Sequence, residues 1–162
     1  MIKMSAHSRL RLRWINAIAI TAALGVLPAD AQTANFGSIT ISSNTLASVQ
    51  PLQGYTQGSY SLSAIANRDR NGDLCLGYAE STPDHIMVLE QDFSQLSVRV
   101  NSGGDTTLLI QGPDNGTIRC GDDTGNNPDA SIQDSNWQAG RYKVWVGSFD
   151  SGVRYDYQLT IR

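Results

Sequence analysis

Beyond Gln32 the chain is punctuated by short runs in which apolar and polar residues alternate. Leu96, Val98 and Val100 alternate with Ser97, Arg99 and Asn101. Period two sends successive side chains to opposite faces, so this run predicts a strand with one apolar face. A second run, residues 107–111, follows Ser102-Gly103-Gly104-Asp105, and that turn predicts a hairpin between the two. Asp114-Asn115-Gly116 is a further hairpin signal and leads into a short strand over 117–120. Near the C-terminal end, Tyr142, Val144 and Val146 share one face and Lys143, Trp145 and Gly147 the other, while Tyr155, Tyr157, Leu159 and Ile161 mark a closing strand. Residues 36–41, 60–66 and 85–91 are additional strand candidates. No ten-residue stretch carries helical spacing. The pattern predicts an all-β domain, a two-sheet β-sandwich of jelly-roll or Greek-key type with about seven or eight strands. Residues 32–58 are polar and are expected as a lead-in holding at most one strand, ahead of a sandwich over 59–162.

The N-terminal end follows a different pattern. Lys3, Arg9, Arg11 and Arg13 precede an apolar run from Ile15 to Leu27, and Ala29-Asp30-Ala31 offers small residues where a signal peptidase reads. Residues 1–31 are therefore expected to be a signal peptide cleaved after Ala31. The run is shorter than the roughly 18–20 apolar residues a membrane span needs, so the mature chain is expected to lack a span and to be periplasmic or secreted. Cleavage would remove four of the twelve cations and one of the fifteen acids, taking the formal charge from −3 to −6. An acidic domain without a Lys/Arg stripe is a poor nucleic-acid binder, because counterion displacement supplies most of that affinity.

Twelve of the fourteen acids left after cleavage are Asp, a composition suited to turns and metal-binding loops rather than helix surfaces. Cys75 and Cys120 are the only cysteines. In an exported chain they pair most simply with each other, the alternative being two buried free thiols.

Catalytic constellations are sparse. His85 is the single histidine after Ala31, and in Pro83-Asp84-His85 it reads as a structural residue at a strand start. No Gly-x-Ser-x-Gly elbow accompanies it, and zinc would lack ligands. Glu80 with Glu90, or Asp122 with Asp123, could serve as the carboxylate pair of a small carbohydrate-active enzyme, but small sandwiches seldom supply the cleft that separates two carboxyl pKa values. The chain is expected not to be an enzyme.

Two features suit binding instead. Trp145 lies opposite Tyr142, Val144 and Val146, so either it joins Phe149 and Trp137 in an aromatic ligand surface or a loop covers it. Residues 121–129 gather Asp122, Asp123 and Asp129 with Asn126 and Asn127, the hard oxygen donors that calcium prefers, and Asp105 or Asp114 could join from neighbouring turns. A solvated turn in which these side chains bond to local backbone amides is the competing reading. Asp69, Asn71, Asp73 and Glu80 fall at positions 1, 3, 5 and 12 of an EF-hand-like loop, but Leu74 occupies the sixth position, where Gly is needed.

Read in order, Cys75-Leu76-Gly77-Tyr78, Pro83-Asp84-His85, Asp105-Thr106-Thr107-Leu108, Gly112-Pro113-Asp114, Cys120-Gly121-Asp122-Asp123 and the run from Ala139 to Gly147 resemble bacterial pre-peptidase C-terminal domains. The resemblance covers residues 75–161 well and 36–71 weakly. It implies a compact β-sandwich and a non-catalytic accessory role: assisting export, binding a polysaccharide or fibrous protein, or positioning a co-secreted peptidase. An export or structural accessory without a ligand of its own is the alternative.

Overall fold

The computed structural model describes residues 33–162; the expected signal peptide lies outside them. Eleven strands form two sheets, and the all-β sandwich is as expected. Four strands make the smaller sheet in the order β2 (Leu52–Tyr55), β11 (Asp156–Ile161), β6 (Phe93–Asn101) and β9 (Ser131–Trp137). In the seven-stranded sheet, β10 (Gly140–Ser148) is central. It pairs antiparallel with β7 (Thr106–Gln111) and with β5 (His85–Leu89). Beyond these lie β8 (Ile118–Gly121) on β7 and β1 (Ser38–Ile41), parallel, on β5. Two short strands, β4 (Tyr78–Ala79) and β3 (Tyr60–Ser61), continue from the far end of β10.

The core between the sheets follows the alternation. Leu96, Val98 and Val100 of β6, Tyr157, Leu159 and Ile161 of β11, and Tyr142, Val144 and Val146 of β10 all turn inward and are buried. The polar partners on β6 and β11, such as Arg99 and Gln158, face solvent.

Two expectations are corrected. Residues 32–58 are no lead-in, since they supply one strand to each sheet and the fully buried Ile41 to the core. Their low hydropathy reflects two edge strands, which need few apolar residues. Second, β6 and β7 do not form a hairpin. The turn 102–105 crosses from one sheet to the other, and the Asp129 carboxylate fixes it by accepting from the backbone N–H groups of Ser102 (2.8 Å) and Gly103 (3.2 Å) and from the Ser102 hydroxyl (2.6 Å). Both edges of β6 are taken by β9 and β11, and both edges of β7 by β8 and β10. The turn at Asp114-Asn115-Gly116 does close a hairpin, with Gln111 opposite Ile118. Of the two readings of the Trp145 face of β10, an aromatic surface or a covering loop, the structure shows cover.

A second apolar cluster covers that other face. Trp145 of β10 and Leu109 of β7 pack there with Ile118, Leu62, Ala79 and Cys75. The irregular segment 56–79 provides the cover, and the Cys75–Cys120 disulfide joins it to β8. Gly147 makes the close approach feasible: a Cβ there would lie 2.6 Å from the Tyr78 carbonyl oxygen.

Candidate acidic site and polar cluster

The acidic loops converge at one end of the sandwich, but not with every residue the sequence pointed to. Asp105, Asp122 and Asp123 bring carboxylate oxygens within 4.8 Å of one another. Asp105 closes the 102–105 crossing and Asp122 follows β8, so the crossover that displaced the expected hairpin is what delivers Asp105 to the loop. Burial raises the Asp122 pKa, reinforced by the Asp123 and Asp105 charges; Asp105 is raised likewise by desolvation and by Asp123 and Asp150. Asp150, on the turn after β10, is a member of this acidic surface that sequence spacing did not reveal. It lies far along the chain from 121–129, and only the pairing of β10 with β7 brings it near.

Asn127 and Asp129 do other work. Asp129 is buried, and its carboxylate is committed to Ser102 and Gly103. Asn127 Oδ1 accepts from the Asp129 N–H (3.2 Å), and its backbone exchanges two hydrogen bonds with Thr124 (2.8 and 3.1 Å). Asp114 is a turn cap as well, accepting from the N–H groups of Gly116 and Thr117, both at 2.8 Å. In the EF-hand-like stretch, Asp69 Oδ1 accepts from the backbone of Asn71 (2.8 Å) and Asp73 (3.0 Å), the geometry of an Asx turn.

The donor set that remains fits a hard cation. Three carboxylates supply only oxygen, up to six atoms where calcium takes six to eight. None of the three forms an ion pair among the described residues, and the buried Oδ1 of Asp122 has no hydrogen-bond partner. A carboxylate oxygen withdrawn from water without a donor is costly unless a cation or proton compensates it.

The aromatic surface is also corrected. Trp145 is 4% exposed in the outer cluster, and Trp137 is fully buried beneath the Arg119 guanidinium, which sits 3.9 Å above its ring. Arg119 in turn pairs with Asp134 at 2.7 Å. Of the three aromatics only Phe149 is exposed.

His85 opens β5 fully buried, sharing a 2.9 Å hydrogen bond between Nε2 and the Tyr157 hydroxyl. Its Nδ1 has no partner, and burial lowers its pKa to about 4. Asp84 beside it is also buried, accepting from the Val146 N–H (2.8 Å) and the Asn35 side-chain amide (3.2 Å). Burial raises the Asp84 pKa to about 7 despite those two donors, and the Glu80 charge adds to the rise. The cluster anchors Asn35 and Phe36 to β5 and β10 and presents no histidine nitrogen to solvent.

No protein-family model and no curated protein matches the chain. Among solved structures it is similar to the pre-peptidase C-terminal domain of a collagenase from Bacillus anthracis. The TM-score is 0.46 and the identity 14%, with 78% of this chain and 93% of that chain covered. Among the described residues no helix is long and apolar enough to cross a membrane.

Proposed function

We propose that this chain is an exported, non-catalytic accessory domain that binds calcium through Asp105, Asp122 and Asp123. The observation that carries the calcium assignment is the convergence of these three carboxylates around a buried Asp122 oxygen without a hydrogen-bond donor. The disulfide supports an oxidising compartment. The ordered motifs from Cys75 to Gly147 support the accessory role, as does the placement of His85 and the paired cysteines inside the fold. A polysaccharide, a fibrous protein or a co-secreted peptidase is the class of partner such a domain serves, and residues 1–31 are the export signal.

Calcium bound to the folded state alone stabilises it by mass action, by about 2.7 kcal/mol at a hundredfold excess over Kd. Millimolar calcium is therefore expected to raise the melting temperature and chelator to lower it. Replacing both Asp122 and Asp123 by Asn should abolish the difference while leaving the fold intact. A melting curve identical in calcium and chelator would remove the metal from the proposal.

A further inference from the structure

The outer face of the four-stranded sheet is uncovered, in contrast to the outer face of its partner. Across it the register lines up Thr160 of β11 with Arg99 of β6, and Arg162 lies beside Ser97 on the neighbouring row. These four, with Asn101 and Gln133, line an open groove of about 600 Å³. Arg99 and Arg162 are diagonal neighbours on adjacent strands and point to the same side, close enough for long side chains to act together. Among the described residues neither forms an ion pair; Arg68, Arg141 and Lys143 form none either, but only Arg99 and Arg162 lie together in one groove. The acid that borders the groove, Asp129, is buried and turned to the 102–103 turn, whose two N–H groups and hydroxyl it accepts from. Two guanidiniums without an ion-pair partner thus share a groove on a chain whose net charge is negative. Apart from Asp129 and the inward-turned Val100, the remainder of the lining is amide and hydroxyl, with no exposed aromatic or large aliphatic anchor of the kind that dominates protein interfaces.

We infer that this groove binds an acidic polysaccharide, with Arg99 and Arg162 holding uronate carboxylates and Ser97, Asn101, Gln133 and Thr160 bonding to sugar hydroxyls. Guanidinium suits the task because its planar fork meets a carboxylate with two parallel hydrogen bonds. The side-chain amides and hydroxyls both donate and accept, as a hydroxyl-rich chain requires. The inference names a ligand class for the accessory domain proposed above and rests on that reading.

Affinity electrophoresis of the purified chain in gels containing polygalacturonate tests it, with methyl-esterified polygalacturonate and polyglutamate as parallel arms. Retardation is expected in polygalacturonate alone, weakening as salt is raised. R99Q/R162Q should reduce the affinity at least tenfold without moving the melting temperature, since both side chains are exposed. No retardation, equal retardation by the neutral ester, or undiminished binding by the double variant would overturn the inference, and stronger binding to polyglutamate would make the groove a peptide site. Calcium-dependent melting is a separate readout, so a chain that still responds to calcium but ignores polygalacturonate loses the glycan assignment and keeps the calcium-binding accessory reading.

Discussion

The core between the sheets and the smaller core on the outside of the seven-stranded sheet meet back to back along β7 and β10, and they are built differently. The inner core is made by strands from both sheets, each turning alternate residues inward. The outer core has long strands on one side only. Its other side is an irregular segment of two short strands and a single helical turn, held by Leu62, Ala79 and Cys75. Regular pairing stabilises the first through its ladders, and the second relies on a covalent link to β8. A layer with few backbone ladders of its own is expected to open at lower free energy than the strands beneath it.

Removing the disulfide is the largest test of that difference. Closing a loop of 45 residues restricts the unfolded chain by about 4 kcal/mol in the chain-entropy treatment. Cys75→Ala with Cys120→Ala is therefore expected to lose stability of that order in denaturant titration. Hydrogen exchange should localise the change. The Leu62 N–H, bonded to the Gly77 carbonyl at 3.0 Å, should lose protection while the β6–β11 ladder keeps its own. Uniform loss across both regions would show the two cores to be one cooperative unit.

Neighbouring leucines on β7 sharpen the comparison without touching the covalent link. Leu108 points into the inner core and Leu109 into the outer one, and each is buried to within 1%. Truncation of a buried Leu costs about 2–5 kcal/mol, depending on how far the site collapses. Leu108→Ala and Leu109→Ala are both expected in that range. Removing the disulfide should diminish the Leu109→Ala cost and leave the Leu108→Ala cost unchanged. A Leu109→Ala effect within about 0.5 kcal/mol, the range of ordinary surface substitutions, would mean that the outer layer covers nothing of consequence.

The inner core was legible because period two is a local signal. Leu96 to Val100 and Tyr157 to Ile161 declare their buried face without reference to any other part of the chain. The outer core was legible only as one of two readings of Trp145, because its strand contributors occupy positions that alternation assigns to solvent. Trp145 is apolar on the polar side of β10, and its burial depends on a segment more than sixty residues earlier. A usable signal existed in Leu108-Leu109-Ile110 and Val144-Trp145-Val146, continuous apolar runs of the kind found in strands covered on both faces. The same contrast separates β7 from the alternating β6 and could have argued against a hairpin between them. At the acidic loops, composition identified the region but could not distinguish a carboxylate that caps a turn from one that faces its neighbours. Asp129 and Asp122 differ only in where the backbone directs them.

The two cores also differ in titration, and here the expected change in the natural chain is the smallest. The outer core gathers apolar side chains around the disulfide, whereas the inner one ends in the buried polar group Asp84, His85 and Tyr157. Between pH 4 and 7 the folded state holds a proton on Asp84 that the unfolded chain, with its ordinary value of 3.8, has released. That contribution is full below pH 3.8 and fades as pH rises through about 7. His85 has the opposite sign: its folded value near 4 lies below the unfolded 6.5, so its contribution is full above 6.5 and is lost as pH falls through 4. From pH 4 to 6.5 the two slopes oppose each other, each about 1.4 kcal/mol per pH unit at one proton. The pair should leave the stability of the natural chain nearly flat over that window. Asp84→Asn keeps an acceptor for the Val146 N–H and exposes the His85 slope, so this variant should lose stability as pH falls from 6.5 to 4. His85→Gln retains a polar partner for the Tyr157 hydroxyl and exposes the Asp84 slope, so it should lose stability as pH rises from 4 to 7. Urea unfolding at half-unit pH intervals reads both directions. Parallel pH profiles for the two variants would sink the compensation, and a slope altered by removing the disulfide would place titration in the outer core rather than the inner one.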